Sequence, residues 1–224
     1  MENTAATATK GKLTGPLGWF LLTAALTGCQ PQADKKAFGV FNEGVALSLR
    51  AAKQADTGLA RPLERQAIGK YRQALAQDSA HRMVRSALGH SYYLLDKYAT
   101  AIEWFEASNK VDTASAASYR ELGLCRISLG QIQPGWVALQ KAFRLDTSAQ
   151  IRAVTADDLY NLGRRAYDFG EGYTAGGEAA KGDAYRRYAI SVLQMAYGTD
   201  PSRKDVARTL ADLAARVSQP AGRP

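Results

Sequence analysis

The sequence predicts an all-α chain in which antiparallel helix pairs stack into a solenoid and a C-terminal helix caps the open end. Three observations predict it. A 34-residue period runs through the middle of the chain. The matched positions alternate small and large side chains at helical spacing. Ala is abundant throughout while Pro, at seven residues, is rare, a balance that favours close-packed helices over sheet.

The period is clearest between "ALGHSYYLLDKYATAIEWFEASNKVDTAS" and "ELGLCRISLGQIQPGWVALQKAFRLDTSA". Leu88, Gly89, Ala101, Phe105, Ser108 and Asp112 of the first stretch stand 34 residues before Leu122, Gly123, Gly135, Leu139, Ala142 and Asp146 of the second. One more step back reaches Ala67, Tyr71, Ala74 and Asp78. Agreement at independent positions makes chance a poor explanation. In order, the first unit has a helix around Phe38–Ala55, separated by "DTGLARPLER" from its second helix. Two regular units follow. The fourth pairs Leu159, Leu162, Gly163 and Tyr167 with Ala189, Leu193 and Ala196, and its helices are parted by "FGEGYTAGGEAAKGD", about 14 residues more than a regular unit needs. Val206, Leu210, Leu213 and Val217 then mark one face of a terminal helix that begins just after Pro201. Gly89, Gly123 and Gly163 fall inside helices, where each costs about 1 kcal/mol relative to Ala. That cost is tolerable where a neighbouring helix must come close. A single pair cannot bury its apolar face, so stacking supplies the core.

On these residues the chain resembles the tetratricopeptide repeat family over roughly residues 37–217, most specifically in the two middle units. The family pattern is Leu-Gly early in helix A, then Ala, aromatic and Ala along helix B. The resemblance implies a concave groove lined by one edge of each helix A. Carried over position by position, it assigns Met83, Ser86, His90, Tyr93 and Leu94 from the second unit. The third unit contributes Ala117, Arg120, Leu124, Ile127 and Ser128, and the fourth Asp157, Tyr160, Arg164, Tyr167 and Asp168. The candidate peptide-binding set is His90, Tyr93, Arg120, Tyr160, Arg164 and Tyr167, because Tyr and Arg join large amphipathic area to directed hydrogen bonds. Chaperone-docking members hold a terminal carboxylate with a Lys/Asn/Arg clamp. Ser86 and His90 stand where that clamp places Lys and Asn, so this ligand class is not implied.

The N-terminal segment raises a separate expectation. Lys10 and Lys12 precede an apolar run at 13–27, which contains Gly15, Pro16 and Gly18 and ends at Gly28-Cys29. A run of about 15 residues is short of the ~20 that a spanning helix needs, and the layout is that of a secretory signal. Leu26-Thr27-Gly28-Cys29 resembles the bacterial lipobox, which implies diacylglycerol on the Cys29 thiol and cleavage before it. The expected organisation is a leader at 1–28, a linker at 29–36, the repeat domain at 37–217 and a disordered tail at 218–224. Lipid would tether the chain in the cell envelope; Gln30 after the Cys leans towards the outer membrane, facing the periplasm.

Charge narrows the partners. The chain carries +8; removing residues 1–28 takes away Lys10, Lys12 and Glu2 and lowers it to +7. The basic residues are spread along helices without long Lys/Arg runs, so nucleic acid is not indicated. Neither Cys29 nor Cys125 has a second Cys or a His at ligand spacing, and no metal or cofactor is expected. Cys125 reads as a buried small hydrophobe. Asp157 and Asp158 read as helix-start capping residues, and His81 as a turn residue. No catalytic constellation emerges. The expected function is binding of a protein or peptide. The alternative is a small-molecule or glycan-binding accessory protein, with the Gly-rich insertion at 169–183 as a lid.

Overall fold

A computed structural model describes residues 30–218. The leader, Cys29 and residues 219–224 of the expected tail lie outside the described residues. Nine helices and no strand occur among the described residues. They are α1 (Gln30–Ala52), α2 (Thr57–Gln77), α3 (Arg82–Leu94), α4 (Tyr98–Val111), α5 (Ala116–Ser128), α6 (Ile132–Leu145), α7 (Ala149–Ala175), α8 (Ala179–Thr199) and α9 (Lys204–Ser218). Consecutive helices pack as α1/α2, α3/α4, α5/α6 and α7/α8, and α9 closes the end. The fold is a tetratricopeptide-like solenoid. The bounds of α5 and α6 are those of α3 and α4 displaced by 34 residues at every end.

The period rests on one repeated contact. A glycine on the first helix of each pair faces a large side chain on the second. A Cβ at Gly89 would meet the Phe105 ring at 2.7 Å, one at Gly163 would meet Leu193 at 2.7 Å, and one at Gly44 would meet Tyr71 at 2.5 Å. Between α5 and α6 the backbones themselves touch: a Cβ at Gly123 would lie 2.8 Å from the Gly135 carbonyl oxygen. Phe105, Leu139 and Leu193 are fully buried there. A second device ends the units. Asp78, Asp112, Asp146 and Asp200 each follow a second helix, and each carboxylate accepts from the backbone N–H two residues on, at 2.9–3.1 Å. The aspartate turns the chain towards the next pair while satisfying a loop donor. Val206 and Leu213 on α9 are buried, and Leu210 packs beside them, so α9 covers the last pair.

Four segments differ from the sequence expectation. Residues 30–36, expected as linker, belong to α1, and Ser218, expected in the tail, belongs to α9. "DTGLARPLER" does not separate two helices; α2 runs through it. Asp56 caps that helix by accepting from the Gly58 N–H at 2.7 Å. Arg61 then reaches the α3–α4 turn, donating to Asp96 at 2.9 Å and to the Leu95 carbonyl at 2.9 Å. Pro62 is exposed, so the backbone bond it removes is lost on the solvent side. The Gly-rich insertion is not a loop either. It lengthens α7 and α8 into a hairpin closed at Gly176–Glu178, with Gly177 at φ +84°. Gly170 and Gly182 let the two helices cross at backbone contact, since a Cβ at Gly170 would lie 3.0 Å from the Gly182 carbonyl. Arg186 fastens the crossing, donating to Glu171 at 3.0 Å and to Thr174 at 2.9 Å and pairing with Asp183. These glycines pack helices, and the residues expected to form a lid extend a helical hairpin.

Because its Cβ would press on the Gly135 carbonyl as well as on the buried Leu139 side chain, Gly123→Ala should destabilise the fold by about 1–3 kcal/mol. Gly39→Ala, with nothing within 4 Å of its Cβ, should instead be neutral or stabilising. Urea denaturation of the two variants measures the contrast.

Candidate binding face

Helices α3, α5 and α7 stand side by side as the first helices of their units, and polar side chains link them in series. On α3, His90 Nδ1 lies 2.9 Å and 3.0 Å from the two carboxylate oxygens of Glu121 on α5. The neighbouring Arg120 reaches the other way, to α7. Its Nε donates to Thr155 Oγ1 at 3.1 Å and its Nη2 pairs with Asp158. From α7 the series continues to the cap: Asp157 pairs with Arg203, whose guanidinium lies 5.6 Å above the Tyr160 ring. The Tyr160 hydroxyl lies 3.3 Å from Thr209 Oγ1 on α9.

Electrostatics follow from this linkage. The hydrogen bond to Glu121 raises the His90 pKa above its ordinary value, against the opposing effect of burial. Burial raises Asp158 despite the opposing pull of Arg120. Burial also raises Tyr93, reinforced by the Asp158 and Glu121 charges. Asp157 and Asp158 sit in the third turn of α7, which begins eight residues earlier at Ala149 under a Ser148 cap. They are therefore cross-helix ion-pair partners and not capping residues. Cys125 is fully buried and its thiol is pushed up to about 12, as expected for a packing residue. His81 packs its ring against Phe41, 4.8 Å between centroids, in the α2–α3 turn.

The six candidate groove residues separate into two groups. Tyr93, Tyr160 and Arg164 border one cavity of ≈ 680 Å³, together with Asn161, Arg165 and Asp168. His90 lies on the same series of helices, with a half-exposed ring. Arg120 does not present its guanidinium to solvent: its side chain is 16% exposed and its donors are engaged by α7. Tyr167 is a core residue, packed with Ala166, Ala189 and Leu193. Leu124 and Ile127, also carried over as groove positions, are buried in the core that α5 shares with α6, α7 and α8. The reason is geometric. Family positions specify an edge of the helix, whereas the closeness of the next helix decides whether that edge is open. Asn161 and Arg165 were missed, although their spacing from Asp157, Asp158, Arg164 and Asp168 is a polar stripe at helical period. Arg164 and Arg165 form no hydrogen bond or ion pair among the described residues, and no group of His, Cys, Asp or Glu among them could hold a metal ion.

No protein-family profile matches the chain, and no curated protein matches it. Two of the solved structures to which it is similar carry related titles. One, "Crystal structure of MamA", is 24% identical over 72% of this chain and 93% of that one, at a TM-score of 0.40. The other, "Crystal structure of MamA protein", is 22% identical over 80% of this chain and 98% of that one, also at 0.40. At that level of superposition the helix pairing described above rests on this chain's own geometry, and nothing about partners carries across.

The two arginines should behave differently on truncation. Arg120→Ala strands the half-buried Asp158 and should cost about 1–3 kcal/mol, whereas exposed Arg164→Ala should stay within about 0.5 kcal/mol of the parent. Equilibrium unfolding compares them. The His90–Glu121 link has a defined pH sign. A folded-state pKa raised above the unfolded value means the contribution is complete below about pH 6.5 and is lost as pH rises through the folded value. An NMR titration of the His90 ring should show a raised midpoint that Glu121→Gln returns towards the ordinary value.

Proposed function

We propose that the chain is a lipid-tethered scaffold of the cell envelope that binds a protein or peptide across the α3–α5–α7 face. The observation that carries the binding reading is the ≈ 680 Å³ cavity at Tyr93 and Tyr160, edged by Arg164, whose guanidinium has no partner among the described residues. Of the charged groups that line it, Asp158 is committed to Arg120, whereas Arg164, Arg165 and Asp168 have no ion-pair partner among the described residues. Those at the rim can therefore meet a ligand without dismantling the fold. Tyr and Arg on rigid helices lose little conformational freedom on binding, which suits a recognition surface. A fixed helical face also suits an extended or helical peptide. This arrangement favours binding over catalysis, since the carboxylates between the helices are held by other side chains, Asp158 by Arg120, Asp157 by Arg203 and Glu121 by His90.

Tethering and envelope location rest on the sequence around Cys29. Several acyl chains on one residue suffice for stable attachment. No described helix is long and apolar enough to cross a membrane. The outer membrane, with the repeat domain facing the periplasm, is the favoured site on the strength of Gln30.

Two measurements test the two halves. Cys29→Ser should abolish incorporation of labelled lipid and release the chain from the membrane fraction; retained label would overturn the anchor. Crosslinked affinity purification from native membranes should recover a partner whose yield falls at least about tenfold with Asn161→Ala/Arg164→Ala, at unchanged melting temperature. Full recovery by that double variant would overturn the binding face.

A further inference from the structure

The lengthened α7–α8 hairpin builds a second hollow that the repeat pattern does not contain. Its extra turns stand beside the α3–α4 turn and the end of α5. Tyr98, Leu162, Arg165, Phe169, Tyr185 and Tyr188 bound a cleft of ≈ 400 Å³. An adjoining hollow of ≈ 380 Å³ shares Tyr185 and Tyr188 and ends on Leu129 and Gly130. Both lie within the size range of ligand pockets, which begins at roughly 300 Å³. Phe169 is 61% exposed, Leu129 46% and Tyr185 38%. Large apolar groups held open on a rigid hairpin, beside a concavity, mark a recognition site.

The polar groups of the cleft indicate what fits. Asp96 already accepts from Arg61 at 2.9 Å and from the Tyr98 hydroxyl at 3.0 Å. The Tyr188 hydroxyl donates to the Ile127 carbonyl at 2.6 Å. Arg165 alone among the charged groups here has no hydrogen-bond or ion-pair partner among the described residues, and it borders both this cleft and the cavity on the α3–α5–α7 face. A buried saccharide would leave hydroxyls short of partners, each at a desolvation cost. A large apolar side chain would not, and a carboxylate beside it could take the bidentate geometry of the guanidinium.

We infer that the cleft receives a large apolar or aromatic side chain of a peptide lying across the α3–α5–α7 face, with a neighbouring ligand carboxylate paired to Arg165. This rests on the peptide-binding reading above and adds the class of peptide: an acidic residue adjacent to an aromatic one. The repeat face supplies the track, and the hairpin supplies the selectivity.

The test uses the full-length chain and three fluorescein-labelled hexapeptides, Gly-Ser-Asp-Phe-Ser-Gly, Gly-Ser-Asn-Phe-Ser-Gly and Gly-Ser-Asp-Ala-Ser-Gly, read by fluorescence anisotropy. The Asp-Phe peptide should bind at least about tenfold more tightly than either other. Arg165→Gln should erase the Asp-over-Asn preference and keep the Phe-over-Ala one. Phe169→Ser, at an exposed position, should do the reverse at unchanged melting temperature. Equal binding of the three peptides, no binding of any, preferences that survive these variants, or displacement by N-acetylglucosamine oligosaccharides would each overturn the cleft assignment. If it falls while Asn161→Ala/Arg164→Ala still lowers partner recovery, the binding face stands and only the cleft is wrong. If both fail, the peptide-binding reading falls with it.

Discussion

Everything in this fold depends on how closely the two helices of each pair approach. A glycine on one helix and a large side chain on the other bring them to van der Waals contact at one depth only, and at Gly123 and Gly135 the backbones themselves meet. With depth and register set, each second helix ends at the same place, where an aspartate turns the chain back. The 34-residue period is the covalent record of that repeated contact. Interiors are close-packed, so a pair cannot slide without opening a void.

Stacking in this way brings α3, α5 and α7 alongside one another and creates a problem of charge. Arginines and carboxylates on adjacent helix edges are partly removed from water, where an unpaired charge is costly. The chain answers with a series of links, His90 to Glu121, Arg120 to Asp158 and Asp157 to Arg203, that runs from the second unit to the cap. Groups that look available on a helical projection are therefore engaged. Those left at the rim, Arg164 and Arg165 foremost, gain importance because their neighbours are already paired.

The α7–α8 hairpin shows the same packing rule producing a new surface. Gly170 and Gly182 continue the small-residue contact beyond the repeat's normal length. The extra turns hold Phe169 and Tyr185 exposed beside the α3–α4 turn and the end of α5. A regular unit would bury such aromatics or end before them.

The sequence by itself determined the helix pairs, their period, the capping helix and the packing role of Gly89, Gly123 and Gly163. These are local spacings, and a helix converts spacing into a face without outside help. It also specified which residue types lie along the α3–α5–α7 edge. Only the tertiary structure decided which were open. Tyr167, Leu124 and Ile127 share that edge by spacing, yet neighbouring helices bury them, and Arg120 is taken up by a carboxylate 38 residues away. The two irregular segments were illegible for a related reason. Glycine and proline signal loops in isolation, but in "DTGLARPLER" a reach from Arg61 to the α3–α4 turn holds the helix. In the insertion, the glycines are where two helices touch. Such contacts are invisible along the chain because they exist only once distant segments have met.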